Sequence, residues 1–212
     1  MGNGILYAGD CREVMRSMPD KSVDIVLTDP PYGMDYESGW YRGGNPFGPI
    51  IGDEKYPVEL MGEFFRIARK AVFVFCRWDN LAHLPKPKSF IVWAKNNHTA
   101  GDLKHAFGRK WEGIAFYPME EHAFVTRPAD VIQFPRVMRL THPTEKPVGL
   151  LEILLRTNVC ESVFDPFAGS GSTLQAATNL GKTFIGCEID PRYVDLISKR
   201  LDILPTTLPI AA

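Results

Sequence analysis

Residues Val163–Thr173 read Val-Phe-Asp-Pro-Phe-Ala-Gly-Ser-Gly-Ser-Thr, and the order of residue types in that stretch decides the fold. A short β-branched and aromatic run ends in an acid, passes through a Gly-x-Gly turn and enters a segment that opens with Ser and Thr. That is a strand, a tight turn and a capped helix, the unit from which parallel α/β sheets are built. The glycines let the backbone approach a ligand beyond the end of the strand.

The same alternation extends in both directions. Downstream, Ser172–Leu180 has helical spacing, Thr183–Gly186 is a strand, and Arg192–Leu201 places Tyr193, Leu196, Ile197 and Leu201 on one helical face. Upstream, Pro147–Asn158 has a helical pattern and Ser162–Phe164 is a short strand. In the first half, Ile5–Ala8 reads as a strand, Cys11–Met18 as a helix broken by Pro19-Asp20, and Val23–Thr28 as a continuously apolar, buried strand. Ala71–Phe75, Ser89–Trp93 and His122–Val125 are further strand candidates. Strands separated by helices predict one α/β domain, a mostly parallel sheet with helices on both faces. The 212 residues fit a single large domain, against a prior of roughly 150 per domain. With 45% hydrophobic and 23% charged residues the chain can build a full core, which excludes a disordered or collagenous class.

The first motif also constrains its ligand. The third glycine of a G-x-G-x-x-G fingerprint is absent, since position 174 is Leu, so a nicotinamide or flavin site is not satisfied. Asp165 would repel a pyrophosphate and attract an ammonium. The next strand leads to Glu188, placed to accept hydrogen bonds from the two hydroxyls of a ribose. A ligand with a ribose and a positive amino group but no pyrophosphate is implied, and S-adenosylmethionine fits. Gly181-Lys182-Thr183 resembles the end of a phosphate loop, but Ala176 stands where that loop needs Gly, and a strand follows instead of a helix.

A second motif, Asp29-Pro30-Pro31-Tyr32, follows the buried strand Val23–Thr28. In open α/β sheets ligands sit at the carboxyl ends of strands. Two prolines stiffen the backbone and remove two donors, so the Pro30 carbonyl is held beside the Asp29 carboxylate. Such a pair of acceptors can grip an amino group with two hydrogens, and Tyr32 offers a face to a planar partner. Alone, the tetrapeptide would more often be a turn with a helix cap. The strand before it and the first motif change that balance.

Together the motifs resemble the amino-methylating DNA methyltransferases, which modify adenine N6 or cytosine N4. Leu27–Tyr32 is similar to the family's catalytic motif and Phe164–Thr173 to its cofactor motif. Their order along the chain resembles the circularly permuted β group. His142-Pro143-Thr144-Glu145-Lys146-Pro147 is similar to a third signature. Tyr7–Cys11 resembles the segment that contacts the cofactor's adenine. These segments span residues 7 to 190 in family order. The resemblance implies a Rossmann-like methyltransferase domain with a catalytic half at 5–126 and a cofactor half at 141–201. It implies S-adenosylmethionine as cofactor, with contacts from Asp10, Cys11, Asp29, His142, Thr144, Lys146, Asp165, Phe167, Ala168, Gly169, Ser170, Gly171, Ser172, Thr173, Glu188 and Ile189. His142 is expected in a loop against the cofactor. Lys146 is expected either near the cofactor's carboxylate or simply at a helix start. Asp at position 29, where Ser is the alternative, leans toward adenine. Cytosine N4, an RNA or protein amide substrate, and a silent nucleic-acid-binding homologue remain the alternatives.

Reading DNA requires further surface. Lys86, Lys88, Lys95, Lys104, Arg109 and Lys110 face a single acid, Asp102, between residues 84 and 110, with Trp93, Phe107 and Asn96-Asn97-His98 interleaved. Such a face would contact phosphates, while the net charge of −1 excludes a general basic coat. Trp40, Tyr41 and Arg42 in a long Gly- and aromatic-rich stretch, with Arg127, Arg136 and Arg139, are further candidates. Recognition segments are expected at about 34–57, 96–119 and 127–140. This small reading surface predicts a short recognition site, relaxed specificity or help from a second subunit such as a homodimer. The five histidines form no metal-ligand spacing, and the four cysteines no CxxC, which fits reduced thiols and a cytoplasmic setting; the family resemblance implies a bacterium or phage as the source. No apolar run is long enough to span a membrane, and the first residues do not have the form of a signal peptide.

Overall fold

In a computed structural model, the described residues are 3–34, 50–98, 104–138 and 144–207. Eight strands form one sheet: β1 (Gly4–Ala8), β2 (Val23–Thr28), β3 (Ala68–Cys76), β4 (Ser89–Ala94), β5 (Trp111–Pro118), β6 (Val131–Gln133), β7 (Ser162–Asp165) and β8 (Thr183–Glu188). Their spatial order is β1-β8-β7-β2-β3-β5-β4-β6. Every pairing is parallel except the two made by β5.

Helices α1 (Cys11–Ser17) and α2 (Met61–Ile67) pack on one face, and α3 (Val148–Arg156), α4 (Ser172–Asn179) and α5 (Pro191–Leu201) on the other. The pleat explains the division. In β2, Ile25 and Leu27 join the core beneath α3–α5, while Val26 between them joins the core beneath α1 and α2. In β3, Ala71, Phe73 and Phe75 face one way and Val72, Val74 and Cys76 the other. Strands buried on both faces must be apolar throughout, which is why Val-Asp-Ile-Val-Leu-Thr shows no alternation. Its one acid, Asp24, is fully buried. Asp24 accepts from the Glu161 amide (2.7 Å) and from Arg69 Nε (2.9 Å), and Lys70 Nζ lies 3.3 Å away. It thereby clamps β2 to β3 and to the segment entering β7.

The permuted order is realised in the sheet. The strand β7, which leads into the Gly-rich turn, lies beside β2, which leads into Asp29-Pro30-Pro31-Tyr32, although most of the chain separates them. The first strand, β1, sits at the sheet's edge beside β8. Residues after α5 run along β1, with Thr206 exchanging backbone bonds with Leu6 and Ala8. The sheet's direction of winding reverses between β7 and β2, and the crevice beyond their carboxyl ends is where ligands bind in such sheets.

Three local expectations are corrected. His122–Val125 is not a strand: only Phe124 forms an isolated bridge, to Asn158, and the segment hydrogen-bonds the end of α3 instead of the sheet. Residues 111–118, expected within a recognition segment, are the long antiparallel strand β5, with Gly113–Tyr117 buried. Gly113 belongs there because the Phe90 ring occupies the place of a Cβ. Residues 131–133, within the third expected segment, form the edge strand β6. The helix α2, absent from the sequence expectation, buries Met61, Phe64 and Ile67 at successive three-residue intervals.

Candidate active site

A cavity of about 430 Å³ opens over the carboxyl ends of β1, β8, β7 and β2. Along its wall lie Asp10, Cys11, Asp29, Pro30, Pro31, Tyr32, Thr144, Lys146, Asp165, Phe167, Ala168, Gly169, Ser170, Ser172, Thr173, Glu188 and Ile189. Two motifs more than a hundred residues apart in sequence thus share one wall, joined by a hydrogen bond from Thr28 Oγ1 to Asp165 Oδ1 (2.8 Å).

The Gly-rich turn is built around Asp165 and Glu188. The Phe167 amide donates to Asp165 Oδ1 (3.1 Å), and Thr173 also bonds this carboxylate. Burial pushes the Asp165 carboxyl up to about 6, with the Thr173 and Thr28 hydroxyls opposing the rise. Glu188 receives the Gly169 amide at Oε2 (2.7 Å) and the Asp190 amide at Oε1 (2.9 Å). Burial pushes this carboxyl up to about 7, against those two bonds. Glu188 therefore holds the turn in shape as well as facing the cavity. Asp10 caps α1, accepting from the Arg12 amide (2.8 Å), and this fixes the adjacent Cys11 at the cavity.

Gly171 differs from the expectation that it touches the cofactor. It is absent from the cavity wall and has φ +79°, a left-handed conformation, where a Cβ would stand 3.0 Å from Ile197 Cγ1. Its role is to turn the chain into α4 and let α5 pack closely.

At the catalytic end both oxygens of Asp29 are engaged. Tyr32 Oη donates to Oδ1 (2.6 Å) and Lys146 Nζ to Oδ2. Lys146 lies directly ahead of Pro147, the N-cap of α3, and so stands at a helix start, one of its two expected places. Its side chain is only 6% exposed, lies between Asp29 and Glu112, and has Nζ 3.4 Å from Glu112 Oε2. Burial alone would lower its pKa, but Asp29 and Glu112 together carry it above the ordinary lysine value. Burial raises the Asp29 carboxyl, with Lys146 opposing. Burial works against the Glu112 carboxylate too, but Lys146 and Lys95 hold its pKa below the ordinary value. Glu112 has no motif around it. Its only sequence signal is an acid directly ahead of the apolar run Gly113–Tyr117.

Residues beyond the tetrapeptide brace it. The Gly33 amide donates to buried Asp53 (3.0 Å), and Asn80 Nδ2 donates to the Tyr32 carbonyl (3.3 Å). Both came from segments that carried no motif. Asn80 lies in a short turn that also carries Trp78, 65% exposed.

The expected DNA face divides. Because β4 runs parallel to β2, Lys86 and Lys88, at its amino end, and Arg127, ahead of β6, lie at the edge of the sheet opposite the catalytic motif. Lys95 is drawn inward, 11% exposed, bonded to Glu112 and with Nζ 4.7 Å above the Trp93 ring. Trp93 itself is core. Lys104, Phe107, Arg109 and Lys110, all exposed, stand in the β4–β5 connection at the catalytic edge, and Arg136 follows β6 there. Trp40, Tyr41, Arg42, Arg139 and His142 lie outside the described residues.

All four cysteines are buried. Burial pushes Cys11 and Cys76 up to about 12 and raises Cys160 and Cys187, so none presents a thiolate. Among the described residues no cluster of three potential metal ligands exists, and no helix is long and apolar enough to cross a membrane.

Comparison with known proteins agrees with this geometry. The family model described as DNA methylase, covering N6 and N4 enzymes, matches residues 128–199. YubD of Escherichia coli (strain K12), which bears the name of a methylase, is 31% identical over 204 residues, covering 87% of this chain and 84% of its own. The DNA adenine methyltransferase YhdJ of the same organism is 26% identical, covering 92% of this chain and 81% of its own. The M1.HpyAVI–SAM complex superimposes with a TM-score of 0.69 at 22% identity, over 93% of this chain and all of its own. The chain belongs to the family of N6/N4 DNA methylases, whose methyl donor is S-adenosylmethionine. The cavity fits that donor. Carboxylates along its wall far outnumber its three bases, Arg12, Lys55 and Lys146, which suits a cationic ligand and disfavours a polyphosphate.

Proposed function

We propose that this protein methylates the N6 amine of adenine in DNA, with Asp29 as the acceptor that orients the amine. The observation that carries the reading is the placing of the Asp29 carboxylate inside the same cavity as Asp165 and Glu188. S-adenosylmethionine brings a methyl group activated by its sulfonium. The exocyclic amine of a base is a weak nucleophile because its lone pair is delocalised into the ring. Asp29 and the Pro30 carbonyl accept the two amine hydrogens, which favours a pyramidal nitrogen with its lone pair toward the methyl. Such positioning is worth roughly 7–11 kcal/mol at best. Tyr32 stacks on the base, which leaves the duplex to enter the cavity. Glu188 holds the ribose, and Asp165 the cofactor's ammonium. Asp29, where Ser is the alternative, supports adenine over cytosine, and one relative, YhdJ, is named a DNA adenine methyltransferase, while the PvuII enzyme of similar fold is cytosine-N4-specific.

DNA is held by Arg109, Lys110 and Arg136 at the catalytic edge, together with the residues of segments 34–57 and 127–140. With residues 111–118 folded into the sheet, the reading surface is smaller still, which supports a short recognition site or a second subunit. The test is transfer of labelled methyl to duplex DNA, single-stranded DNA and RNA, with the product nucleoside identified. N6-methyl-2′-deoxyadenosine from DNA is expected. N4-methylcytosine would replace the base assignment, and an active Asp29→Ala protein would remove the amine-orienting role.

A further inference from the structure

Both oxygens of Asp29 already accept a hydrogen bond in this state. Tyr32 fills Oδ1 and the Lys146 ammonium fills Oδ2, the seat that the proposed function gives to the target amine. An uncharged amine loses to an ammonium in direct competition for a buried carboxylate, because the charged bond is the stronger. A second place for the lysine would free Oδ2 for the amine at little cost.

The structure supplies that place. Glu112 Oε2 is buried, accepts no hydrogen bond, and lies 3.4 Å from Lys146 Nζ. Its other oxygen is taken by Lys95, which is braced over the Trp93 ring. Charges thus alternate from Asp29 through Lys146 and Glu112 to Lys95, and the Lys146–Glu112 contact is the longest of the three. A shift of less than about 1 Å would bring Nζ to ordinary charge-assisted distance from Glu112 Oε2. The Tyr32 and Phe75 rings flank Nζ at 5.5 and 5.1 Å and line the path.

We propose that Lys146 has two seats: it covers Asp29 while the base site is empty and moves onto Glu112 when the target amine arrives, with Glu112 as the positioning residue. The lysine stays protonated in both seats, so no proton moves. Neither carboxylate is left buried and alone, a state that is costly in a low-dielectric interior. The proposal rests on the reading of Asp29 as the amine's acceptor.

The experiment compares wild type, Glu112→Gln, Glu112→Asp, Lys146→Met and the Glu112→Gln/Lys146→Met double variant. Melting temperature, affinity for S-adenosylhomocysteine, and kcat and KM on the duplex that wild type methylates are measured. Glu112→Gln removes the second seat, so kcat falls by about tenfold or more while cofactor affinity and melting stay close to wild type. Glu112→Asp recovers part of the loss. The double variant is no slower than Lys146→Met, because without the lysine the second seat is idle. Wild-type kcat in Glu112→Gln, or losses that multiply in the double variant, would overturn the proposal. A wild-type structure with sinefungin and the same duplex decides independently of any variant's folding. Nζ bonded to Glu112 supports the two seats, and Nζ still on Asp29 refutes them. Asp29→Ala is the control: if it methylates, the underlying reading of Asp29 fails, whereas an inactive Asp29→Ala beside a normal Glu112→Gln defeats only the two-seat proposal.

Discussion

Lowering the pH from 8 to 6 weakens cofactor binding, and the size of the effect follows from two buried carboxyls. Burial pushes Glu188 up to about 7 and Asp165 up to about 6. A ribose diol and an ammonium both donate, so they need these groups as carboxylates. With a midpoint near 7, about nine-tenths of Glu188 is ionised at pH 8 and about one-tenth at pH 6, a loss of nearly tenfold in binding-competent protein. Asp165, half-protonated at pH 6, contributes a further factor of about two. The combined loss is about twentyfold, or ~1.8 kcal/mol. Isothermal titration with S-adenosylhomocysteine suits the measurement, since its own groups do not titrate in this window. Glu188→Gln should bind weakly throughout, with only the Asp165 factor of about two left. Equal wild-type affinity at pH 6 and pH 8 would refute the reasoning. The same shifts govern the free protein with opposite sign. Both folded pKa values are raised, so their stabilisation is complete below about pH 4 and is lost as pH rises through 6 and 7. The free protein should melt higher at pH 5.5 than at pH 8, and saturating ligand should narrow that difference.

Other perturbations test the fold and the DNA edge. Gly171→Ala forces an L side chain into a left-handed conformation and against Ile197, at a cost of about 2 kcal/mol. Thermal melting should fall by roughly 4–8 °C. Asp24→Ala removes the acceptor shared by Arg69, Lys70 and the Glu161 amide. A loss of roughly 3 kcal/mol in urea unfolding is expected at pH 7. This difference should shrink in acid, because burial works against the Asp24 carboxylate but the Glu161 amide and Arg69 win and lower its pKa. Arg109→Ala/Lys110→Ala should weaken DNA binding evenly across sequences and reduce the slope of log affinity against log salt by about 2. An unchanged slope would place the phosphate contacts elsewhere.

The cofactor half was readable because its determinants are local. An acid at the end of an apolar strand, glycines in the turn and a hydroxyl-capped helix are rules of neighbouring residues, and each of β7, α4, β8 and α5 appears where the pattern predicts. Asp29-Pro30-Pro31-Tyr32 was readable for the same reason. The middle of the chain was not. Strand β5, whose apolar run is Gly113–Tyr117, is preceded by Gly108-Arg109-Lys110, so it reads as the end of a basic loop, and only the Phe90 ring explains why a glycine belongs in it. Lys95 counted among the exposed bases because its buried partner, Glu112, lies across a hairpin.

The chain's own order of residues settled the α/β class, the permuted order of motifs and the chemistry of the ligand, since all three depend on strand–turn–helix units a few residues long. The long-range pairing of β2 with β7 was needed to bring Asp29 and Asp165 to one cavity. The β4–β5 hairpin was needed to carry Glu112 to Lys146. Those contacts join residues 34 to more than 130 positions apart and depend on burial and complementary charge, which no local pattern records. The sequence thus singles out Asp29 by its motif, and the tertiary structure shows a lysine already sitting on it.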